Sequence, residues 1–97
     1  CKNFKHIIFN NGSHESVGGQ PTVGHRINFH KIAKEAGYGL VIIAKTYTQV
    51  LNGIKKMEAY REGASLMEVK ISQGTRKDLG RPKHSPIENK ILLMKNI

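Results

Sequence analysis

Three apolar stretches alternate along the chain with segments of helical periodicity, and this alternation limits the possible folds more than any other feature. The stretches at 4–9, 38–45 and 64–72 are rich in β-branched and aromatic residues and predict strands. The segments between them predict helices. Strands that alternate with helices are joined by crossovers and lie parallel in one sheet. The sequence therefore predicts an α/β fold of three parallel strands with flanking helices.

The predicted helices differ in the strength of their sequence signals. A short helix is predicted over 27–37 and a longer one over 48–62. Gly53 lies inside the longer helix, where glycine is about 1 kcal/mol less favourable than alanine. A third helix begins after Ser85, which is a good cap and is followed by a proline and, three positions on, by a glutamate. That pattern predicts a capping box.

The apolar patterns of two strands predict different positions in the sheet. The run at 38–45 is continuous, as expected of a strand covered on both faces. The stretch at 64–72 alternates instead, with Met67 and Val69 on one face and Glu68 on the other. The second pattern predicts an edge strand, or a strand with one wet face.

Three parallel strands with two or three helices amount to about half of a covered sheet. A chain of 97 residues with 38% hydrophobic residues is one domain at most and has a modest core. We therefore expect 1–97 to be part of a larger α/β domain. Its expected partners are the remainder of its own polypeptide, another subunit or a second copy of itself.

The formal net charge is +9, which leaves several partners open: nucleic acid, a membrane surface, a polyanionic ligand or an acidic remainder of the protein. No stretch approaches the ~20 apolar residues of a membrane span. The single cysteine, Cys1, excludes an intramolecular disulfide and fits a reducing compartment, so a cytoplasmic location is predicted.

In open α/β sheets ligands bind beyond the carboxyl ends of the strands, where the segments 10–16, 45–48 and 74–81 would meet. These segments carry oxygen ligands, one histidine and several cations: Asn10, Asn11, Ser13, His14, Lys45, Arg76, Lys77 and Arg81. Hard oxygen ligands suit magnesium, and arginines suit phosphate or carboxylate. Asn and Gly also favour turns, so the triplet at 10–12 taken alone need only end a strand.

Histidines recur at His14, His25 and His30. Their spacing matches no standard zinc motif, and no cysteine accompanies them. Zinc is therefore not expected, and the candidate remains an anion site in which magnesium could take part.

Two long segments carry a resemblance to a known family. NNGSHESVGGQPTVG at 10–24 and SQGTRKDLGRPKHSPIENK at 72–90 are similar to thiamine-diphosphate-dependent decarboxylases, namely the phosphonopyruvate decarboxylases with the sulfopyruvate decarboxylases as near relatives. The resemblance covers 4–94. It implies that the chain is the C-terminal half of a thiamine-diphosphate-binding fold.

The resemblance also implies roles for individual residues. In the family the second Asn of an Asn-Asn pair binds Mg²⁺ through its side chain, and the residue two positions on binds through its carbonyl. Transferred here, the implied metal ligands are Asn11 and Ser13; cofactor-binding residues are Asn10, Asn11, Gly12 and Ser13; the catalytic residue is His14; and substrate contacts are Ser16 and Arg81. The family's Gly-Asp-Gly triplet and catalytic glutamate are absent from this chain, so the rest of the site is expected elsewhere.

The activity implied by this resemblance is decarboxylation of phosphonopyruvate to phosphonoacetaldehyde and CO₂, in an enzyme of which this chain alone would be inactive. Two alternatives stay open. One is a sulfopyruvate decarboxylase subunit, since phosphonate and sulfonate are both tetrahedral anions. The other is a basic nucleic-acid-binding module, although the charges are spread along the chain and the tyrosines are isolated.

Overall fold

The computed structural model describes residues 3–74, 78, 80 and 82–97. The strands, in chain order, are β1 (Lys5–Asn10), β2 (Ser13–His14), β3 (Gln20–Pro21), β4 (Leu40–Ala44) and β5 (Ser65–Lys70). The helices are α1 (Phe29–Glu35), α2 (Tyr47–Ala59) and α3 (Pro86–Met94). None of the helices in these ranges combines the length and apolar character needed to cross a membrane.

β1, β5 and β4 form one parallel sheet in that order, which confirms the predicted α/β fold with three parallel strands. Met67 of β5 lies between Ile7 of β1 and Ile42 of β4 in register. The last strand in the sequence is therefore the middle strand of the sheet. Both crossovers contain a helix, as parallel neighbours require.

The predicted positions of β4 and β5 were wrong. β5 was expected at an edge or with a wet face, yet it is the central strand, and all its residues except Lys70 are buried. β4 was expected to be covered on both faces, yet it is an edge strand, with Ile43 39% exposed. The physical reason is that burial follows strand order, and a polar side chain such as Glu68 can be buried when it finds hydrogen-bond partners.

α2 covers one face of the sheet and forms the main apolar core. Met57 of α2 packs there with Ala44, Met67 and Val69. Gly53 has a packing role in this contact, because a Cβ at that position would lie 2.5 Å from the sulfur of Met67. The glycine that is unfavourable for the helix therefore allows α2 to approach the sheet closely.

β1 has less cover on the α2 side of the sheet. Ile7 is 41% exposed there and Phe9 68% exposed. A cavity of about 420 Å³ opens between α2 and the first half of β1, lined in part by Lys5, Ile7 and Ile54. This cavity lies away from the carboxyl ends of the strands, so it does not coincide with the predicted ligand site.

The segment between β1 and α1, for which the sequence predicts no strand or helix before 27, has structure of its own. β2 and β3 pair antiparallel, and short 3₁₀ turns occur at Glu15–Val17 and Val23–His25. Two-residue strands carry too little periodicity to be recognised in a sequence, so the hairpin was not predicted. It gives the loop a fixed shape.

α3 begins as predicted. The Ser85 hydroxyl accepts the N–H of Glu88 at 3.3 Å, and the Glu88 carboxylate accepts the N–H of Ser85 at 2.6 Å. The capping box is thus confirmed. Every residue of α3 is exposed, so the helix is marked by its local sequence and not by packing on the sheet.

Candidate functional site

A buried amide begins the loop that follows β1. Asn10 is only 5% exposed. Its Nδ2 donates to Glu68 Oε1 at 2.7 Å and to the Gly24 carbonyl oxygen at 2.8 Å, and its Oδ1 accepts the Gly12 N–H at 3.1 Å. One side chain thus joins β1 to β5 and to the turn at Val23–His25. It also fixes the direction in which the chain leaves the strand.

Gly12 is required by this geometry. Its φ is +65°, in the left-handed region that side chains disfavour, and the residue is buried. A Cβ at this position would collide with the imidazole of His25. The loop and the Val23–His25 turn therefore pack directly against each other at this glycine.

Asn11 and Ser13 form the next turn. The Ser13 N–H donates to Asn11 Oδ1 at 3.0 Å, and Asn11 Nδ2 donates to Glu15 Oε1 at 3.2 Å. Ser13 stands opposite Pro21, which has no N–H, and the adjacent bond joins the Thr22 N–H to the Gly12 carbonyl at 2.8 Å. Ser13 and Pro21 are therefore a non-hydrogen-bonded pair.

In such a pair the N–H and C=O of each residue point away from the partner strand. The Ser13 carbonyl therefore points to the side on which its N–H meets the Asn11 amide oxygen. Asn11 Oδ1 and the Ser13 carbonyl oxygen thus share one side of the hairpin, as two ligands of one ion must.

Other features of the turn also suit a cation. Ser13 Oγ is buried, and the described residues offer it no hydrogen-bond partner. Amide and carbonyl oxygens are acceptable Mg²⁺ ligands, although such sites usually include a carboxylate as well. Within 3–74, 78, 80 and 82–97 no three His, Cys, Asp or Glu side chains gather as a metal site. The Asn11 and Ser13 oxygens therefore suit part of a cation site, and neither of them is the carboxylate that such sites usually include.

Glu15 connects this turn to the chain beyond β5. Its Oε1 accepts the Gly74 N–H at 2.5 Å as well as the Asn11 amide. The segment at 10–16 and the start of the segment at 74–81 therefore meet beyond the strand ends, as predicted. Arg76, Lys77 and Arg81 lie outside the described residues, so their predicted part in the site stays a prediction.

His14 and Ser16 are exposed beside Asn11 and Ser13. Ser16 Oγ lies 3.2 Å from His14 Nδ1, which makes them a hydrogen-bonded pair on the solvent side of the hairpin. Both side chains are therefore accessible to a ligand above the loop. Their predicted contacts with substrate or intermediate stay predictions.

Glu68 is the buried ionisable group beneath the loop, and sequence reasoning assigned it to a wet face. It is 2% exposed, and Lys70 Nζ lies 2.5 Å from its Oε1. Burial alone would raise the pKa of Glu68, but hydrogen bonds from Lys70 and Asn10, with the positive charge of Lys70 and His30, together hold that pKa below its ordinary value. The carboxylate is thus charged at neutral pH.

A second concave feature lies on the α1 side of the sheet, at the ends of β4 and β5. This basic pocket has a volume of about 250 Å³ and is lined by His25, Arg26, Ile27, Asn28, His30, Ile43, Lys45, Glu68 and Lys70. Only Lys45 among these was predicted for the site. The signal for the others is weak, because the stretch 25–30 combines cationic and apolar residues without any recognised motif.

Two curated proteins, each named phosphonopyruvate decarboxylase, are similar to this chain. The protein from Streptomyces viridochromogenes is 30% identical over 86 residues, and the protein from Streptomyces hygroscopicus is 31% identical over 86 residues. The similarity covers 89% of this chain but 21% of each relative, so the chain spans about a fifth of the length of the curated relatives it matches. No protein-family model and no solved structure matches the chain.

Proposed function

We propose that the chain is the C-terminal part of the diphosphate-binding domain of a decarboxylase that uses thiamine diphosphate and Mg²⁺ and acts on phosphonopyruvate. The observation that carries the proposal is that the Ser13 N–H donates to Asn11 Oδ1 in a preformed hairpin whose register places the Ser13 carbonyl on the same side as Asn11 Oδ1. Further support comes from the similarity to two phosphonopyruvate decarboxylases, which extends over 86 residues.

The residues of the hairpin would have different roles in binding the cofactor. Asn11 and Ser13 would hold the magnesium ion through a side-chain and a main-chain oxygen, and the ion would supply positive charge for the diphosphate of the cofactor. Asn10 acts from below, because its amide is committed to Glu68 and Gly24 and fixes the start of the turn. Gly12 allows that turn to pack against the imidazole of His25.

The reaction breaks the bond between C1 and C2 of the 2-oxo acid; C1 leaves as CO₂, and the electron pair left on C2 takes up a proton to give phosphonoacetaldehyde. Bound thiamine diphosphate supplies the electron sink for that pair. His14 is the candidate on this chain to donate a hydrogen bond or a proton above the loop, since its ring is exposed and within reach of Ser16. Ser16 and Arg81 are proposed substrate contacts.

The proposal places the carboxylate ligand of Mg²⁺ and the catalytic glutamate outside this chain, on the rest of the polypeptide or on another subunit. A sulfopyruvate decarboxylase subunit is the alternative within the same chemistry. The ratio of kcat/KM for phosphonopyruvate and sulfopyruvate decides between them. Nucleic-acid binding is supported by the net charge of +9 alone and is not proposed.

The test uses the intact enzyme that contains this chain, assayed for CO₂ release from phosphonopyruvate with thiamine diphosphate and Mg²⁺. Asn11→Ala removes one of the two proposed oxygen ligands and should weaken Mg²⁺ and cofactor binding together, by at least about tenfold. Asn52→Ala is the matched control, because it removes the same amide from an exposed position of α2. Unchanged metal and cofactor affinity in Asn11→Ala would refute the assignment.

A further inference from the structure

The basic pocket has more positive charge than its one acidic residue can balance. The Glu68 carboxylate is bonded to Lys70 and to Asn10. Arg26 and Lys45 also line the pocket, and within the described part of the chain neither has an ion-pair partner. Among the residues that the structure describes, these two permanent cations of the pocket therefore have no counter-charge.

The donor residues that line the pocket come from separate elements. Arg26 follows the Val23–His25 turn, His30 belongs to α1, and Lys45 follows β4. Asn28 precedes α1, but its side chain makes no capping hydrogen bond and so remains a further polar group. Several N–H groups from different directions suit an anion with oxygens on all sides, such as phosphonate, better than a flat carboxylate.

The size and lining of the pocket limit the ligand. Its 250 Å³ is less than the roughly 300 Å³ at which pockets for drug-sized ligands begin. The described lining contains no Phe, Tyr or Trp on which a base could stack. A small oxyanion is therefore favoured over a nucleic acid.

The pocket shares walls with the loop that carries Asn11 and Ser13. His25 lines the pocket and also packs against Gly12. Glu68 lines the pocket and also accepts the Asn10 amide. A ligand in the pocket would therefore lie next to the proposed metal site.

We propose that the basic pocket binds the phosphonate group of the substrate, a tetrahedral oxyanion, with Arg26 and Lys45 as its main contacts. This inference rests on the proposed function for the identity of the anion, but the pocket itself can be tested without any turnover. Because Lys70 forms an ion pair with Glu68, Arg26 and Lys45 are the cations available to the ligand.

The test compares Arg26→Gln and Lys45→Gln in the intact enzyme with Arg61→Gln and Lys55→Gln, which remove the same charges from exposed positions outside the pocket. Titration calorimetry measures the Kd of methylphosphonate, with acetate as the carboxylate control. Steady-state kinetics measure the KM for phosphonopyruvate. Each pocket variant should weaken methylphosphonate and raise KM by about tenfold or more, because a charge-assisted hydrogen bond is lost, and the two controls should leave both unchanged.

The outcomes separate the two proposals. If the enzyme lacks decarboxylase activity but binds methylphosphonate, and the pocket variants weaken that binding, the proposed function is refuted and the oxyanion pocket is supported. If the enzyme decarboxylates phosphonopyruvate but KM is unchanged in both pocket variants, the proposed function is supported and phosphonate binding in the pocket is refuted. Acetate binding as tight as methylphosphonate, or variants that weaken thiamine diphosphate binding and leave KM alone, would also overturn the assignment to phosphonate.

Discussion

Replacing Glu68 by Gln tests whether the buried carboxylate holds the loop after β1 in place. The substitution keeps the size of the side chain but removes the charge that accepts Asn10 Nδ2 at 2.7 Å and lies 2.5 Å from Lys70 Nζ. Charge-assisted hydrogen bonds, at about 1.5–3 kcal/mol, are roughly twice as strong as neutral ones. Since Lys70 is 26% exposed and can turn to water, we expect a loss of about 1–2 kcal/mol.

Amide hydrogen exchange is the suitable assay, because it reports the free energy of local opening in a protein of any size. A loss of this magnitude corresponds to exchange about 5- to 30-fold faster in the segment 10–25. Glu62→Gln is the control, since Glu62 is exposed beyond the end of α2. Equal protection in Glu68→Gln and the wild type would refute the view that the carboxylate supports the loop.

The same variant has a predicted pH dependence. The pKa of Glu68 is held below its ordinary value of 4.5 in the folded protein, so its charge contributes stability that is fully present above that pH. As the pH falls through the lowered pKa, the wild-type side chain becomes neutral like Gln. The difference in protection, corrected for intrinsic exchange rates, should therefore shrink on acidification, and a difference that grows would contradict the reasoning.

Three further predictions concern the packing of α2, the capping of α3 and self-association. Gly53→Ala should destabilise α2 by about 1–2 kcal/mol despite alanine's better helix propensity, because its Cβ would crowd the buried Met67; Gly63→Ala is the control, and greater thermal stability of Gly53→Ala would contradict this. Ser85→Ala should speed amide exchange several-fold at the start of α3 only, and unchanged exchange would mean that the capping box contributes nothing. The chain alone should self-associate through the uncovered face of β1, and Phe9→Lys should reduce this in sedimentation velocity; a wild-type chain that sediments as a monomer would show that this face needs no cover.

The three strands of the main sheet and the three α-helices could be predicted, because a local sequence pattern marks each of them. The capping residues of α3 and the apolar runs of the three main strands need no distant partner to be recognised. The order of the strands could not be predicted in this way. From the sequence alone Glu68 is expected to face solvent, because the partner that allows its burial, Asn10, lies 58 residues earlier in the chain.

The same distinction between local patterns and long-range contacts applies to the candidate site. Asn11 and Ser13 could be proposed from the sequence, because the family resemblance rests on a contiguous segment that contains both and only Gly12 separates them. The basic pocket could not, because it combines Arg26, Lys45 and Glu68 from three separate segments. No spacing along the chain records which face of the sheet each of these residues occupies.

The hydrogen bonds of Asn10 have a consequence for any ligand of the loop. They hold the start of the turn through Glu68 and Gly24, while Glu15 holds its next residues through Asn11 and Gly74. The turn is therefore ordered by folding, before a ligand arrives. Binding then requires little further loss of backbone freedom, which favours affinity. If Asn11 and Ser13 bind a metal ion as proposed, the buried carboxylate of Glu68 would support that binding by keeping their oxygen atoms in place, without touching the ligand itself.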